Sequence, residues 1–484
     1  MIFGLRLENL KLNSIINTEN KMKERNVKIA YIGGGSRGWA KIFMTDMAKE
    51  DAFTADVHLY DIDYKAAQMN ESIGNDLSAR ADIIGKHRYI ADKTAKEALM
   101  GADFVVMSIQ PATFEEMRSD VHTPEKYGIY QPVGDSTGPG GIVRALRTIP
   151  IYADYARMIG EYCPNAWVIN YTNPMTICTR TLYKAFPQIK AFGCCHEVFT
   201  TQKMFACWLK DEMGVEVNRS EIKIDVAGVN HFTWLTSAKY KTLDLYPLYQ
   251  KYVDKYWEDG WQFSEEEHWM NNAFGNRNRV KFDLFKRYGR IAAAGDRHLA
   301  EFCPREWYLK SPEQIKSWNY MLTTVDYRIQ DLQERLERAD RLFRREEKLV
   351  LRDTGEEGVE QIKAILGFKE LVTNVNLPNI GQMPDLQKDA VVETNAVFRG
   401  DSVVPVMAGK LPDDVLSLIQ RISREQEIIV DSAMKQDYEA VFRAFANDPL
   451  ITLPVDEAKK LYVEMLENTK EYIPNVNEYL AKQS

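Results

Sequence analysis

Three glycines at the spacing Gly-x-Gly-x-x-Gly follow a short apolar run and precede a helical pattern; they are Gly33, Gly35 and Gly38. In such a turn the first glycine permits tight folding, the second lets the backbone approach a pyrophosphate, and the third lets the helix pack closely on a strand. The phosphates would lie at the helix N-terminus, where free N–H groups and the helix dipole favour anions. This spacing therefore predicts dinucleotide binding.

An acidic residue strengthens that interpretation. Asp61 ends a second apolar run, residues 57–60, and lies 23 residues after Gly38. A carboxylate there can accept a hydrogen bond from a ribose 2′-hydroxyl, which favours NAD over NADP. The alternative is an ordinary glycine-rich turn between a strand and a helix, and the second strand with its terminal acid argues against it.

A cysteine and a histidine form a second group that could do chemistry. Cys195 lies in the run Gly-Cys-Cys-His-Glu, and His231 lies in Gly-Val-Asn-His-Phe. A thiolate and an imidazole can bind a divalent ion and leave positions open for substrate and water. Taken alone the pair is a weak signal, because buried free cysteines and hydrogen-bonded histidines are commoner than ligands. The other cysteines away from this run, at positions 163, 178, 207 and 303, are expected in the core.

The elements that would position these residues alternate in type through the first 200 residues. The patterns predict helices over 65–80, 95–99 and 142–161, and buried strands over 104–109, 167–171 and 189–193. Such alternation predicts a parallel sheet covered on both faces, with ligands at the carboxyl ends of its strands. Asn173 and Cys195 both follow predicted strand ends.

Beyond residue 200 the predicted strands and helices no longer alternate regularly. The patterns predict a strand over 222–227, a charged helix with a solvated face over 311–349, strands within 371–404, and helices from 411 onward. We therefore expect an α/β fold: a Rossmann-like nucleotide domain over 26–200 and an α+β domain over 201–484 for catalysis, substrate binding and oligomerisation.

Composition limits the class of protein. The 484 residues are 45% hydrophobic and 27% charged, with a net charge of −8, which is typical of a globular protein and argues against general nucleic-acid binding. No apolar stretch reaches the roughly 18 residues of a membrane span. Residues 1–25 lack a long apolar region, so we expect a disordered extension with Met22 as a second candidate start. Six cysteines without a disulfide pattern favour the cytoplasm.

Several motifs occur together in one order, and the chain resembles glycoside hydrolase family 4, the NAD- and metal-dependent glycosidases. The motifs are Gly33-Gly34-Gly35-Ser36, Tyr60-Asp61-Ile62-Asp63, Gly138-Pro139-Gly140-Gly141, Arg144 through Pro150, Asn170-Tyr171-Thr172-Asn173-Pro174, Gly193-Cys194-Cys195-His196 and Gly228 through Phe232. Family 4 is an exception to the two-carboxylate chemistry of most glycosidases.

The resemblance implies a nucleotide domain like that of lactate and malate dehydrogenases, and the cofactors NAD and Mn²⁺. It also implies transient oxidation of the sugar at C3, loss of the C2 proton, departure of the leaving group from C1, addition of water and reduction. The net reaction is hydrolysis, so NAD is not consumed.

The same resemblance assigns roles to individual residues. Cys195 and His231 match the metal ligands, and Asn173 matches an asparagine beside substrate and metal. The cofactor residues are Gly33, Gly35, Ser36 and Asp61.

The acid and the base are less closely matched. The phosphoglycosidase branch has Cys-Asp-Met-Pro where this chain has Cys-His-Glu, which points away from 6-phosphoglycosides and makes His196 the first candidate for the acid at C1. In that branch the C2 base is a tyrosine; the comparable place here holds Gly295-Asp296-Arg297-His298, so Asp296 and His298 are the catalytic candidates.

The variant motifs look most like the α-galacturonidase branch. A uronate carboxylate suits the planar fork of arginine, and Arg297, Arg118 and Arg37 are candidates in that order. Within the family the alternatives are neutral α-glucosides, α-galactosides and other uronides. Outside it they are an NAD-dependent 2-hydroxyacid dehydrogenase and a non-catalytic NAD sensor. The expected partners are a uronide or oligosaccharide and further copies of the chain in a dimer or tetramer, with no nucleic acid or membrane.

Overall fold

The computed structural model describes residues 26–263 and 277–483. The predicted extension at residues 1–25, including Met22, lies outside the described residues.

Twelve strands among the described residues form one mixed sheet. Its spatial order is β3-β2-β1-β4-β5-β6-β10-β11-β7-β8-β9, with β12 paired to β11. The strands are β1 Asn26–Ile32, β2 Thr54–Tyr60, β3 Arg88–Asp92, β4 Phe104–Met107, β5 Trp167–Asn170, β6 Lys190–Gly193, β7 Ile222–Val229, β8 Phe232–Tyr240, β9 Leu243–Asp244, β10 Leu371–Pro378, β11 Val391–Arg399 and β12 Ser402–Pro405.

The first six strands run parallel, as the alternation of strands and helices predicts. β4 and β5 are buried along their whole length, which is typical of parallel strands covered by helices on both faces. The predicted α/β class with a Rossmann-like parallel sheet is confirmed.

The remaining strands run antiparallel and continue the same sheet. β10 joins β6 through Asn376 opposite Gly193, and β11 joins β7 through Glu393 opposite Gly228. The strands predicted within 371–404 are therefore present and connect the two halves of the chain. The division into domains at residue 200 stays a prediction.

Helices cover both faces of the parallel part and build the C-terminal region. They are α1 Trp39–Met47, α2 Tyr64–Ala79, α3 Ala95–Leu99, α4 Phe114–His122, α5 Gly138–Tyr162, α6 Met175–Ala185, α7 Glu197–Met213, α8 Tyr246–Tyr256, α9 Arg279–Tyr288, α10 Asp296–Glu301, α11 Arg305–Tyr308, α12 Pro312–Ser317, α13 Val325–Phe343, α14 Gly358–Ile365, α15 Asp413–Met434, α16 Tyr438–Phe445, α17 Val455–Thr469 and α18 Val476–Leu480. None of the described helices is long and apolar enough to cross a membrane.

Two helix predictions needed correction. The helix predicted from residue 142 begins at Gly138, because Pro139 stands in its first turn, where its fixed φ suits a helix start. The single charged helix predicted over 311–349 is two helices, α12 and α13, and the second begins after Thr324, whose hydroxyl accepts a hydrogen bond from the Tyr327 N–H.

Candidate active site

The glycine-rich turn joins β1 to α1 beside the end of β4. Gly33 has a φ of +93°, and a Cβ there would lie 2.0 Å from the carbonyl oxygen of Ser108. Only glycine fits this place, since it combines left-handed backbone with backbone contact. The Ser36 hydroxyl accepts the N–H of Trp39 at 3.0 Å and so caps the first turn of α1.

Asp61 closes the turn from the end of β2. Its carboxylate accepts the Gly35 N–H at 2.9 Å and the Asp63 N–H at 2.9 Å. A Cβ on Gly35 would lie 2.8 Å from the Asp61 carboxylate oxygen. The predicted cofactor residues Gly33, Gly35, Ser36 and Asp61 thus form one connected structure at the carboxyl edge of the sheet.

The third glycine has a different partner from the one expected. A Cβ on Gly38 would lie 2.3 Å from Nη1 of Arg335, which α13 brings against the turn. Gly34 is the glycine that packs closely on a strand, because a Cβ added there would lie 2.7 Å from the Leu59 Cβ in β2. The spacing rule located the turn but could not foresee a helix contributed by the second half of the chain.

His231 lies in the tight turn between β7 and β8 and has a φ of +66°. Left-handed backbone is costly for a non-glycine residue and clusters at functional sites. Its Nδ1 lies 2.8 Å from the hydroxyl of Ser136, which itself donates to Asp135 Oδ1 at 2.8 Å. That chain assigns the proton to Nδ1, which leaves the lone pair of Nε2 available as a ligand.

Two further groups meet His231. The His298 ring stacks on it with centroids 3.8 Å apart, and ligand atoms of Asp135, His231 and His298 all lie within 4.8 Å of one another. Imidazole nitrogens and a carboxylate oxygen at this spacing could hold a divalent ion. His298 Nδ1 is buried without a hydrogen-bond partner in the structure, and Nε2 lies 3.6 Å from Glu197 Oε1.

Burial and neighbouring charges set the ionisation of this group. Burial, with the adjacent His298, lowers the pKa of His231 to about 3, so its imidazole is neutral near pH 7. Burial also lowers the pKa of His298. Burial opposes ionisation of Asp135, but the surrounding histidines and arginines outweigh it and lower its pKa. Two neutral imidazoles beside a carboxylate are in the state that metal binding requires.

Asn173, which follows β5, lies against the same group. Its Nδ2 donates to Asp135 Oδ2 at 3.2 Å, and Oδ1 is buried without a partner in the structure. Its backbone carbonyl accepts Nε of the buried Arg144 at 3.1 Å. The predicted proximity of Asn173 and His231 is therefore present, with Asp135 between them.

The two adjacent cysteines face different surroundings. The Cys194 side chain meets Tyr171 and Gln361, whereas the Cys195 side chain meets Asn230, the neighbour of His231. Burial, together with Glu393 and Glu197, raises the pKa of the Cys195 thiol. Cys195 is not part of the group of Asp135, His231 and His298 that the described residues form. No disulfide joins any of the six cysteines, all of which lie among the described residues.

His196 is fixed at the start of α7. Its Nδ1 lies 2.8 Å from Oε1 of the buried Glu356, and Trp39 packs nearby with ring centroids 6.0 Å apart. Burial works against protonation of His196, but Glu356 outweighs it and raises the pKa. A histidine held this way can carry a proton near neutral pH.

Asp296 has a structural task. Its Oδ1 accepts the Lys281 N–H at 3.0 Å in the first turn of α9, and the side chain is fully buried. Burial raises the pKa of this carboxyl to about 6. An anion is favoured at a helix N-terminus, so Oδ1 caps α9, while Oδ2 is buried without a hydrogen-bond partner in the structure.

The three candidate arginines lie apart. Arg297 is half-buried and donates to the Thr323 hydroxyl. The negative charges of Glu197 and Asp135 raise the pKa of its guanidinium, although burial lowers that pKa more. Arg118 donates to Asp326 at 2.7 Å on an exposed part of α4. Arg37 donates to the Gly35 carbonyl at 2.8 Å in the glycine-rich turn. Only Arg297 is therefore near the Asp135 group by the contacts that the structure describes.

Sequence reasoning missed Asp135, Ser136, Glu197 and Glu301. Asp135 and Ser136 stand in Gly-Asp-Ser-Thr-Gly, just before the recognised Gly-Pro-Gly-Gly motif, and that turn was the available signal. Glu301 accepts the N–H groups of Val133 and Gly134 at 2.6 and 2.9 Å and so fixes the segment that carries Asp135. Nothing in the local pattern connects positions so far apart.

Comparison with known proteins identifies the family. The model for family 4 glycosyl hydrolases matches residues 28–210, and that for the family 4 glycosyl hydrolase C-terminal domain matches residues 226–451. The alpha-galacturonidase of Thermoanaerobacterium saccharolyticum is 60% identical over 452 residues, which are 93% of this chain and 97% of that protein.

Solved structures agree with this assignment. A Bacillus subtilis structure described as a glucosidase is 47% identical, covers 91% of this chain and 100% of its own, and has a TM-score of 0.87. A 6-phospho-alpha-glucosidase from gut microorganisms, solved in complex with NAD and Mn²⁺, shares the fold with a TM-score of 0.75 at 21% identity, over 93% of this chain and 99% of its own. The chain belongs to the family 4 glycosyl hydrolases.

Proposed function

We propose that this enzyme hydrolyses terminal α-linked galacturonic acid, with NAD and a divalent ion, Mn²⁺, as cofactors. The observation that carries the proposal is the 60% identity, over almost the full length of both chains, to a protein named alpha-galacturonidase. Family membership also argues against a plain 2-hydroxyacid dehydrogenase and against a non-catalytic NAD sensor.

The residues present fit a divalent ion. The bond of His231 Nδ1 to Ser136 leaves Nε2 available as a ligand, and the Asp135 carboxylate lies beside it. Asn173 Oδ1 is buried without a partner in the structure. An unpartnered buried polar atom is costly, so a bound ion or substrate that contacts it stabilises the site. We assign His231, Cys195 and Asp135 to the ion.

The residues around the glycine-rich turn fit NAD. Gly33 and Gly35 have no room for side chains, and Asp61 stands at the end of the second strand. When bound, NAD and Mn²⁺ would supply hydride transfer and Lewis-acid polarisation. Asp61 would accept from the ribose hydroxyls, which favours NAD.

The proton transfers fall to two histidines. We assign His196, held by Glu356 at 2.8 Å, to protonate the leaving oxygen at C1. We assign His298, with Glu197 behind it, to remove the proton at C2, since its Nδ1 is unpartnered and its ring stacks on a ligand. Asp296 is the second candidate for the base. Asn173 would orient the substrate, and Arg297 would meet its carboxylate.

Variants can show whether His298 acts as the base at C2 or as a ligand of the metal ion. If the assignment is right, His298→Ala keeps Mn²⁺ affinity within about threefold of wild type and loses exchange at C2. A loss of Mn²⁺ affinity in that variant makes His298 a ligand instead. Cys195→Ser should lose Mn²⁺ affinity, and Cys194→Ser, whose side chain faces Tyr171, is the matched control.

We propose a cytoplasmic location and a homo-oligomeric state. Six cysteines without a disulfide among the described residues suit a reducing compartment. Size-exclusion chromatography with light scattering would distinguish a dimer or tetramer from a monomer.

One experiment tests the function. p-Nitrophenyl α-D-galacturonide is incubated with the enzyme, NAD⁺ and Mn²⁺, and each cofactor is omitted in turn. Release of p-nitrophenol should require both cofactors and should yield no net NADH. Turnover without either cofactor, or NADH formed in proportion to substrate, would overturn the proposal.

A further inference from the structure

Two arginines from different helices converge beside the Asp135 segment. Arg297, on α10, donates from Nη1 to the Thr323 hydroxyl. Arg328, on α13, donates from Nε to the Thr323 carbonyl at 3.4 Å and from Nη2 to the Val133 carbonyl at 2.8 Å. One residue, Thr323, therefore contacts both guanidinium groups, and its own N–H donates to Pro132 at 2.9 Å.

The two guanidinium groups are close enough to influence each other. Arg328 is among the charges that lower the pKa of Arg297, after burial, and Asp135 and Glu301 act on both arginines. Arg144, on α5, adds a third buried guanidinium that faces Asp135. Like charges held together in a part-buried place call for an anion between them.

The nearby carboxylates have other partners. Glu301 Oε1 accepts the N–H groups of Val133 and Gly134 at 2.6 and 2.9 Å, and Glu197 Oε2 accepts the Gly295 N–H at 2.9 Å. Asp135 accepts the Ser136 hydroxyl at 2.8 Å. Among the described residues, no hydrogen bond or ion pair joins the Arg328 guanidinium to a carboxylate.

We propose that Arg328 and Arg297, aligned by Thr323, form the recognition site for the anionic group at C6 of the substrate. The inference rests on the proposed function and identifies the residues that distinguish a uronide from a neutral glycoside. Arg328 uses two of its five N–H donors on the carbonyls of Val133 and Thr323. The rest can meet a carboxylate, for which the planar fork of arginine is suited.

The substrates for the test differ only at C6. Kinetics are measured with the enzyme loaded with NAD⁺ and Mn²⁺ on p-nitrophenyl α-D-galacturonide, p-nitrophenyl α-D-galactoside and the galactoside 6-phosphate. A hydrogen bond to a charged group contributes about 1.5–3 kcal/mol, or roughly 10- to 150-fold. Arg328→Met should therefore lower the ratio of kcat/KM for the galacturonide to kcat/KM for the galactoside by roughly that factor.

A second variant and a direct binding measurement keep the test independent of folding. Thr323→Val removes the hydroxyl that aligns Arg297 but keeps both charges, and it should lower the galacturonide preference by about tenfold. Calorimetry with D-galacturonate and D-galactose should show the same selective loss of galacturonate affinity in both variants. Arg344→Met is the control, since Arg344 ends the same helix and pairs with Asp340 at 2.8 Å on the exposed surface.

The outcomes separate the inference from the proposed function. If wild type prefers the galacturonide but Arg328→Met loses activity on both glycosides alike, Arg328 only holds the Val133 segment and the inference is wrong. If wild type shows no preference for the galacturonide over the galactoside, both the inference and the proposed substrate are wrong. A preference for the 6-phosphate keeps the anion site and refutes the uronide.

Discussion

At the scale of single residues, one chain of hydrogen bonds fixes the orientation of a histidine in a left-handed turn. His231 Nδ1, the Ser136 hydroxyl and Asp135 Oδ1 are joined by two contacts of 2.8 Å. An imidazole that donates through one nitrogen presents the lone pair of the other in a fixed direction. In the proposed site Ser136 would therefore orient the ligand His231, and burial keeps that imidazole neutral.

The first prediction concerns Ser136. Ser136→Ala removes the acceptor of the His231 Nδ1 proton and should weaken Mn²⁺ affinity roughly 10- to 100-fold, the range for partners behind a metal ligand. His231→Ala should weaken it further. Mn²⁺ affinity is measured by electron paramagnetic resonance titration. Ser108→Ala, at the end of β4, is the control, and equal affinities in Ser136→Ala and wild type would contradict the assigned tautomer.

The second prediction concerns Asp61. Its carboxylate accepts the Gly35 N–H at 2.9 Å, so it shapes the glycine-rich turn in addition to its proposed contact with the ribose. Asp61→Ala should weaken the affinity for NAD by about tenfold or more. It should also reduce the difference between the affinities for NAD and NADP, because a 2′-phosphate is no longer repelled. Fluorescence titration with both nucleotides measures this. A wild-type preference for NADP would refute the role given to Asp61.

At the scale of elements, short segments are held by residues from distant helices. Glu301 on α10 accepts two N–H groups of the segment that carries Asp135, and Arg335 on α13 lies against Gly38 in the glycine-rich turn. Both contacts position site residues through elements of the second half of the chain. The charged helix α13, predicted only as a solvated face, therefore also borders the cofactor turn.

The third prediction follows from Glu301. Its pKa is raised to about 8 because it is buried, against about 4.3 for an exposed glutamate. The folded state therefore holds a proton that the unfolded state releases, so this contribution is full below pH 4 and is lost as the pH rises through 8. Glu301→Gln cannot ionise, yet its amide oxygen can still accept both N–H groups.

The measurement is the melting temperature between pH 5 and pH 9. As the pH rises across this range, the free energy of unfolding of Glu301→Gln should increase relative to that of wild type. The increase is at most about 1.4 kcal/mol for each unit by which the folded and unfolded pKa of Glu301 differ, and the melting temperatures should follow it. Glu306→Gln, at a half-exposed position on α11, should follow wild type. Parallel curves for Glu301→Gln and wild type would show that Glu301 is ionised in the folded protein.

Elements were easier to predict than the site because periodicity is local. The helix at 95–99 matches the structure, and the buried strands at 104 and 167 begin where expected. Asp135 could not be found this way, because its partners His231 and His298 come from a hairpin and a helix far along the chain. Gly38 shows the same limit: the motif gave its position, and only the fold revealed Arg335 as its neighbour.

At the scale of the whole molecule, one sheet carries both the glycine-rich turn and the His231 turn. Asp61 and Asn173 follow the ends of two parallel strands, and the antiparallel strands add the His231 turn. β6 and β10 join the two parts of the sheet at Gly193 and Asn376. Direct displacement at C1 uses neither a dinucleotide nor a metal ion. A glycine-rich turn and a group of side chains that could hold an ion therefore fit the proposed oxidation–elimination route better.

The last prediction concerns the C2–H bond. If the proposed route is right, a residue of this chain removes the C2 proton and solvent supplies its replacement, so hydrolysis in D₂O should give product with deuterium at C2, detected by NMR. Displacement at C1 never breaks that bond and cannot introduce the label.

A base so shielded that it returns the same proton would delay the label but not exclude it over long single-turnover incubations. Slower reaction of C2-deuterated substrate would add support, although product release can mask such an effect. Product without deuterium after those incubations would show that His298 does not act as a base at C2 and that the oxidation–elimination route is wrong for this enzyme.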